Sequence, residues 1–381
     1  DLSISESKIK GYFAVLADPQ IGMSVAFDDP DEARNELIPL KVAVDAVSKL
    51  QPSPKFVFLA GDVQDAWPNL YGDAKVRERA MIQREAVKKE MQKFAKKRIP
   101  VQYTPGNHDI ADAPTDEFIA DYTKEFGPTF KTVDHGLGSQ IQVVALNSQI
   151  YQHDTSTGAR QKQNNDFAAA LNNLNGDTRL LMILTHIPPF MDTITEKAGW
   201  ANWAQEARKP VMEIIAKAVK GKNIKVAFVC GHFHTNVDKE TTYTSDTNGK
   251  FDLHIMVSSS VTSTMWWTGQ KFNVNGWLAP EHASMVAQKD VKKAFVEDII
   301  GAIKDGYDPY AANKRSKAEL TSMLADVDAD AAKAAKKYTE DKLPRFHRSG
   351  VTLIAICQDA KKSLYSRQWL TVDSLHTDGK L

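Results

Sequence analysis

The chain has 381 residues, 42% of them apolar, and its 48 lysines and arginines balance 48 aspartates and glutamates. That length can bury a large core in one or two domains, while zero net charge gives no electrostatic reason to expect nucleic acid or an anionic membrane as a partner. No apolar run reaches the roughly eighteen residues of a membrane span, so no spanning helix is predicted.

In chain order, strands are predicted at residues 12–17 and 56–60, with apolar residues at a three–four spacing between them over 38–50. A second amphipathic stretch with a lysine-rich outer face covers 80–95. Strands follow at 99–104, 141–147, 180–185, 224–230 and 253–259, and two more at 351–357 and 364–370. Strand alternating with helix predicts a layered α/β domain. The strand-rich end of the chain adds a mixed sheet, or two sheets packed as a sandwich. Residues 268–344 break this rhythm. An aromatic stretch (Trp266, Trp267, Phe272, Trp277) leads into predicted helices at 283–304 and 316–341. The expected organisation is one domain formed by residues 1–267 and 345–381, with 268–344 a mainly helical insertion that either decorates the surface or caps a site. The only cysteines, Cys230 and Cys357, lie in strand-like apolar runs and read as small buried hydrophobes. With no Asn-x-Ser/Thr sequon, the expected location is the cytoplasm; a first residue other than Met leaves a processed exported protein open.

Five polar clusters directly follow five of the predicted strands: Asp18-Pro19-Gln20, Gly61-Asp62-Val63-Gln64-Asp65, Gly106-Asn107-His108-Asp109, Thr185-His186-Ile187-Pro188 and Gly231-His232-Phe233-His234. Taken singly, Asp18 or Gly61-Asp62 reads as a turn as readily as a ligand, and His186 as a satisfied core imidazole. Gly-Asn-His-Asp is more specific, a costly succession for an ordinary loop behind a glycine that lets the backbone turn tightly; so is Gly-His-Phe-His, whose two imidazoles stand two apart and in extended chain point the same way. Ligands of open α/β sheets bind beyond the carboxyl ends of strands, and all five clusters sit there.

The set resembles the calcineurin-like metallophosphoesterases, whose signature runs Asp-x-His, Gly-Asp-x-x-Asp, Gly-Asn-His-Asp/Glu, His, Gly-His-x-His. Four blocks match; the first has Gln20 where the usual histidine stands. The Asp-Pro-Gln form is similar to the branch of calcineurin-like phosphoesterase-domain proteins that act as serine/threonine protein phosphatases. The resemblance covers residues 10–265 and about 350–370, and it implies a two-sheet β-sandwich flanked by helices. It also implies two divalent or trivalent metal ions (Mn, Fe, Zn, Mg or Co). Asp18, Gln20, Asp62 and His234 would hold the first; Asp62 would bridge to a second held by Asn107, His186 and His232. His108 would face the substrate and assist the leaving group, with Asp109 orienting its imidazole. Two such ions clamp a phosphoryl group and activate a bridging hydroxide for in-line attack. An amide oxygen is a harder, weaker donor than imidazole, so Gln20 predicts a looser first metal, shifted towards Mg or Mn.

The second cluster lacks the arginine of the classical serine/threonine phosphatases of this type and the tyrosine of purple acid phosphatases. The expected function is a phosphomonoesterase acting on a phosphoprotein or small molecule. The alternatives are a phosphodiesterase, including cyclic-nucleotide types, and a metal-binding scaffold without turnover. Trp67, directly after the second cluster, is a candidate substrate contact beside Asn107 and His108. Phe190, Trp200 and Trp203 read either as packing or as an apolar wall near the metals. His153 and His254 read as structural or surface residues, and Asp65 as a turn residue or a support for the site.

Overall fold

The computed structural model describes residues 9–22, 34–153, 156, 158–172, 174–234, 236–262, 350–357 and 364–371. The elements up to the middle of the chain are β1 (Ile9–Leu16), α1 (Arg34–Lys49), β2 (Val57–Leu59), α2 (Ala74–Lys96), β3 (Val101–Tyr103), α3 (Asn107–Ile110), α4 (Asp116–Phe126), β4 (Lys131–Thr132) and β5 (Ile141–Ala145). They continue with α5 (Gln149–Gln152), α6 (Ala159–Leu171), β6 (Leu180–Leu184), α7 (Gln205–Val219), β7 (Lys225–Cys230), β8 (Val237–Ser245), β9 (Gly249–Val257), β10 (Gly350–Cys357) and β11 (Tyr365–Thr371).

The strands form two sheets, ordered β11-β10-β1-β2-β3 and β4-β5-β6-β7-β9-β8. Within the first, β1, β2 and β3 are parallel; within the second, β5, β6, β7 and β9 are parallel. Parallel strands covered on both faces read as continuous apolar runs, which is why Phe13-Ala-Val-Leu-Ala17 and Leu180-Leu-Met-Ile-Leu184 stand out in the sequence. Period-two alternation then divides each strand between two layers. Phe13, Val15, Phe56 and Phe58 face Val143, Met182, Leu184, Val229 and Met256 between the sheets. Phe13 and Phe56 stack with ring centroids 4.5 Å apart. The opposite faces carry helices: Val44, Val87, Met91 and Phe94 of α1 and α2 cover the first sheet. Phe167, Val211, Met212 and Ile215 of α6 and α7 cover the second. Burying one such side chain contributes roughly 1.5–3 kcal/mol, so the interior is ample for a stable sandwich.

Local signals set the helix starts. The Asp73 carboxylate accepts from Lys75 N at 2.9 Å at the head of α2. Thr115 does the same for Phe118 N at 3.3 Å, with Asp116 and Glu117 in the first turn of α4.

Every strand run expected from the sequence contains a strand, and the mixed two-sheet architecture agrees with expectation. The sequence reading lacked β4, β8 and the helices α4, α6 and α7. The expected insertion 268–344, its two helices, and Trp266 and Trp267 lie outside the described residues. Among the described residues no helix is long and apolar enough to cross a membrane.

The two sheets meet at their carboxyl ends. Val261 N donates to Ala17 O at 2.8 Å, and Ala17 bridges Ser260 in parallel. All five polar clusters are carried to this junction.

Candidate metal centre

Five of the seven non-glycine residues with positive φ among the described residues are Asp18 (49°), Gln20 (41°), Asp62 (51°), His232 (70°) and His234 (48°). Left-handed backbone costs an L-residue about 1–2 kcal/mol, so its concentration on these residues marks a site that the surrounding bonds over-determine. Close approach adds a second constraint. A Cβ on Gly231 would lie 2.5 Å from Asp18 Oδ2, and one on Gly106 2.5 Å from Asp62 N. Only glycine admits the neighbouring loop at either place.

Three donors converge on His186. Its Nε2 lies 3.3 Å from Asp62 Oδ2, 3.3 Å from Asn107 Oδ1 and 3.1 Å from His232 Nδ1, and all four residues are buried. The ligand atoms of Asp62, His186 and His232 all fall within 4.8 Å of one another. Ligands bonded to one ion at about 2.0–2.2 Å are spaced by roughly 2.9–3.5 Å, and the three distances from His186 Nε2 fall in that range. The outer nitrogens fix the tautomers. His186 Nδ1–H donates to Ala60 O at 2.6 Å, and His232 Nε2–H donates to Trp200 O at 2.8 Å. The lone pairs of His186 Nε2 and His232 Nδ1 therefore face the cluster.

The electrostatics ask for positive charge. Burial opposes protonation of His186, but Asp62 and Asp18 outweigh it and push the imidazole up to about 9. Burial and the adjacent His186 charge push His232 down to about 3. Burial also opposes ionisation of Asp62, yet His186, His108 and His232 pull it well below the ordinary carboxylate value. A cation among these donors would take the place of the His186 proton.

Beside this cluster, Asp18 Oδ1 lies 3.4 Å from His234 Nε2, and both oxygens of Asp18 accept from His232 N at 2.9 Å. Gln20 N donates to Asp62 O at 2.8 Å, tying the first loop to the second. The Gln20 side-chain nitrogen is 2.8 Å from His108 Nε2, while its Oε1 is buried without a hydrogen-bond partner. A buried orphan carbonyl oxygen is a fitting donor for a cation. Carboxylate, amide oxygen and imidazole together suit the metals expected from the sequence.

His108 sits at the edge of these donors. Its Nδ1–H donates to Asp65 O at 2.8 Å, and its Nε2 accepts from Trp67 Nε1–H at 3.1 Å. Burial pulls the His108 imidazole down, but the carboxylates of Asp62 and Asp65 outweigh it and raise the group above its usual value. Trp67 is half-buried, with its ring centroid 4.8 Å from that of His108.

Asp109 corrects one expectation. Its carboxylate does not orient the imidazole: Oδ2 accepts from Asp62 N (2.9 Å) and Gly106 N (2.8 Å), and Oδ1 from Val63 N (2.9 Å). Burial and the neighbouring Asp62 charge push it up to about 6 against the pull of those N–H groups. The orienting contact belongs to Asp65, through its backbone oxygen. Among the aromatic candidates, Phe190 and Trp203 are core residues, Trp203 donating to Ile187 O at 2.8 Å. Trp200 is half-buried and packs tilted against His232, with ring centroids 4.3 Å apart. His254 is held between Asp238 and Tyr365, away from the cluster.

The model of the calcineurin-like phosphoesterase family matches residues 12–236. A protein of Danio rerio named serine/threonine-protein phosphatase CPPED1 is 28% identical over 237 residues, 59% of this chain and 70% of the relative. Its Homo sapiens namesake is 27% identical over 242 residues, 61% of this chain and 72% of the relative. Among solved structures, a dimetal phosphatase from Danio rerio aligns with 67% of this chain and 88% of its own at 12% identity and a TM-score of 0.44.

Proposed function

The chain belongs to the calcineurin-like phosphoesterase family and is a metal-dependent hydrolase of phosphoric esters, and on that premise we propose that it is a phosphomonoesterase acting on phosphoserine and phosphothreonine in proteins. The convergence of Asp62, Asn107, His186 and His232 on one point beside His108 carries the reading. The phosphoprotein class is supported by the relatives named as serine/threonine-protein phosphatases and by the Asp-Pro-Gln form of the first cluster.

Asp18, Gln20, Asp62 and His234 would hold one cation, and Asp62, Asn107, His186 and His232 a second. When bound, the pair supplies Lewis-acid polarisation of the phosphoryl group and a water of lowered pKa. The chain's own residues supply the rest. Asp109 and the left-handed turn at Asp62 keep the shared carboxylate aimed between the two halves of the donor set. The leaving alkoxide is a strong base and needs a proton. His108 would provide it from Nε2, anchored through Nδ1–H to Asp65 O, with the Asp62 and Asp65 carboxylates favouring its protonated form. Substrate must first displace Trp67 and Gln20 from that nitrogen, so the indole is the group in contact with the arriving ester.

The test is a manganese-supplemented assay on p-nitrophenyl phosphate, its bis ester and a phosphoserine peptide. Turnover of the monoester and the peptide above the bis ester is expected. Preference for the bis ester would make the protein a phosphodiesterase. No turnover of any substrate, with metal bound, would leave it a scaffold.

A further inference from the structure

Asp18 and His234 belong to loops that follow strands of different sheets, and both hold left-handed backbone. Their carbonyl oxygens are held by two consecutive residues of a third segment. Ser259 Oγ–H donates to His234 O at 2.7 Å, and Ser260 Oγ–H donates to Asp18 O at 2.8 Å. The same segment is itself pinned. Ser259 N donates to Asn236 Oδ1 at 2.8 Å, Val261 N to Ala17 O at 2.8 Å, and Thr262 Oγ1–H to Pro19 O at 2.6 Å. Behind it, Ser258 Oγ and Thr352 Oγ1 of β10 lie 2.9 Å apart. Ser259 and Ser260 are completely buried.

Successive side chains of extended backbone point to opposite sides, so one dipeptide at the end of β9 reaches a loop on either flank. Each hydroxyl satisfies a carbonyl that a left-handed turn leaves outside any strand ladder. We infer that Ser259 and Ser260 are positioning residues for the cation site built on Asp18 and His234. They tie the two loops to one strand end and set the 3.4 Å approach of Asp18 Oδ1 to His234 Nε2. The inference rests on the two-cation reading of the donor set.

Manganese binding to the metal-free full chain tests it, read by calorimetry and by metal content after dialysis. Wild type is expected to take up two equivalents. Ser259→Ala and Ser260→Ala each weaken one equivalent by about 10–100-fold, the usual cost of losing a group that orients a ligand, and leave the other in place. Ser260→Thr keeps its hydroxyl and both equivalents, and the metal-free alanine variants stay folded, their melting temperatures lowered only by the cost of one unsatisfied buried carbonyl. Two unchanged equivalents in the alanine variants, or equal weakening of both, would overturn the inference. Should Ser260→Ala not fold, Ser259→Ala applies the same test to the opposite loop. Fewer than two equivalents in wild type would instead refute the two-cation reading, and the inference with it.

Discussion

The carboxylate of Asp109 grips the backbone of Asp62: Oδ2 accepts its N–H at 2.9 Å, and Oδ1 takes the next N–H, of Val63, at the same distance. The left-handed turn at Asp62 is thus held by the residue that follows His108. Asp109→Asn replaces one acceptor oxygen with a donor that faces a backbone N–H. The variant is expected to lose about 2–3 kcal/mol of stability and to bind metal more weakly, measured by urea unfolding and metal content. Full stability with lost turnover would instead restore Asp109 to the chemistry.

His108→Ala removes the proton source and none of the proposed ligands. Turnover should fall by about 10²–10⁴-fold while both metal equivalents remain. Loss of an equivalent would show that His108 is a ligand, and the division between metal donors and proton donor would need redrawing.

In the proposed centre Gln20 would offer the first cation an amide oxygen in place of the imidazole of the common pattern. Gln20→His should slow the loss of one equivalent to a mild chelator. Equal metal content in variant and wild type after the same treatment would count against a ligand role for this position.

A pH effect is expected far from the centre. Glu213 of α7 accepts from Ser245 Oγ at 2.6 Å, Tyr243 OH at 2.8 Å and Asn248 Nδ2 at 3.2 Å, clamping the helix to the β8–β9 hairpin. The Ser245 bond leads the causes that hold its carboxyl below the ordinary 4.5. A depressed folded pKa gives stability that is complete above 4.5 and lost as pH falls through the folded value. Glu213→Gln should therefore be less stable than wild type at pH 7, with the gap closing towards pH 3. A gap independent of pH in urea titrations would exclude the charge as its source.

The meeting of the Asp18, Asp62, Asn107, His186, His232 and His234 side chains was legible because each stands in a polar cluster directly after an apolar strand, where glycine and imidazole have no packing reason to recur. The role of Asp109 was not legible. Adjacency to His108 suggested a partnership, but Asn107–Ile110 is a helical turn, and neighbours on a helix do not face each other. The hairpin strand β8 was hidden by its Lys, Glu and Thr content, although Asn248-Gly249, with Gly249 at φ +82°, was an available turn signal. Pro210 interrupts the apolar pattern of α7, and α6 carries few apolar residues beyond Phe167 and Leu171. Ser259 and Ser260 look like ordinary turn residues until both hydroxyls are seen to reach other loops.

The donor set is divided between two layers. Asp18, Asp62 and Asn107 follow strands of one sheet, and His186, His232 and His234 follow strands of the other. Phe13, Phe58, Met182 and Val229 are therefore also the shims that seat one half of the donors against the other. Sliding one layer by a single residue repeat is about 3.3 Å, as large as the 3.3–3.4 Å gaps across which donors of the two layers face each other. Cation affinity is in this sense a caliper for sandwich alignment: a change of girth in those apolar side chains would be read at the metals before it was read in the fold.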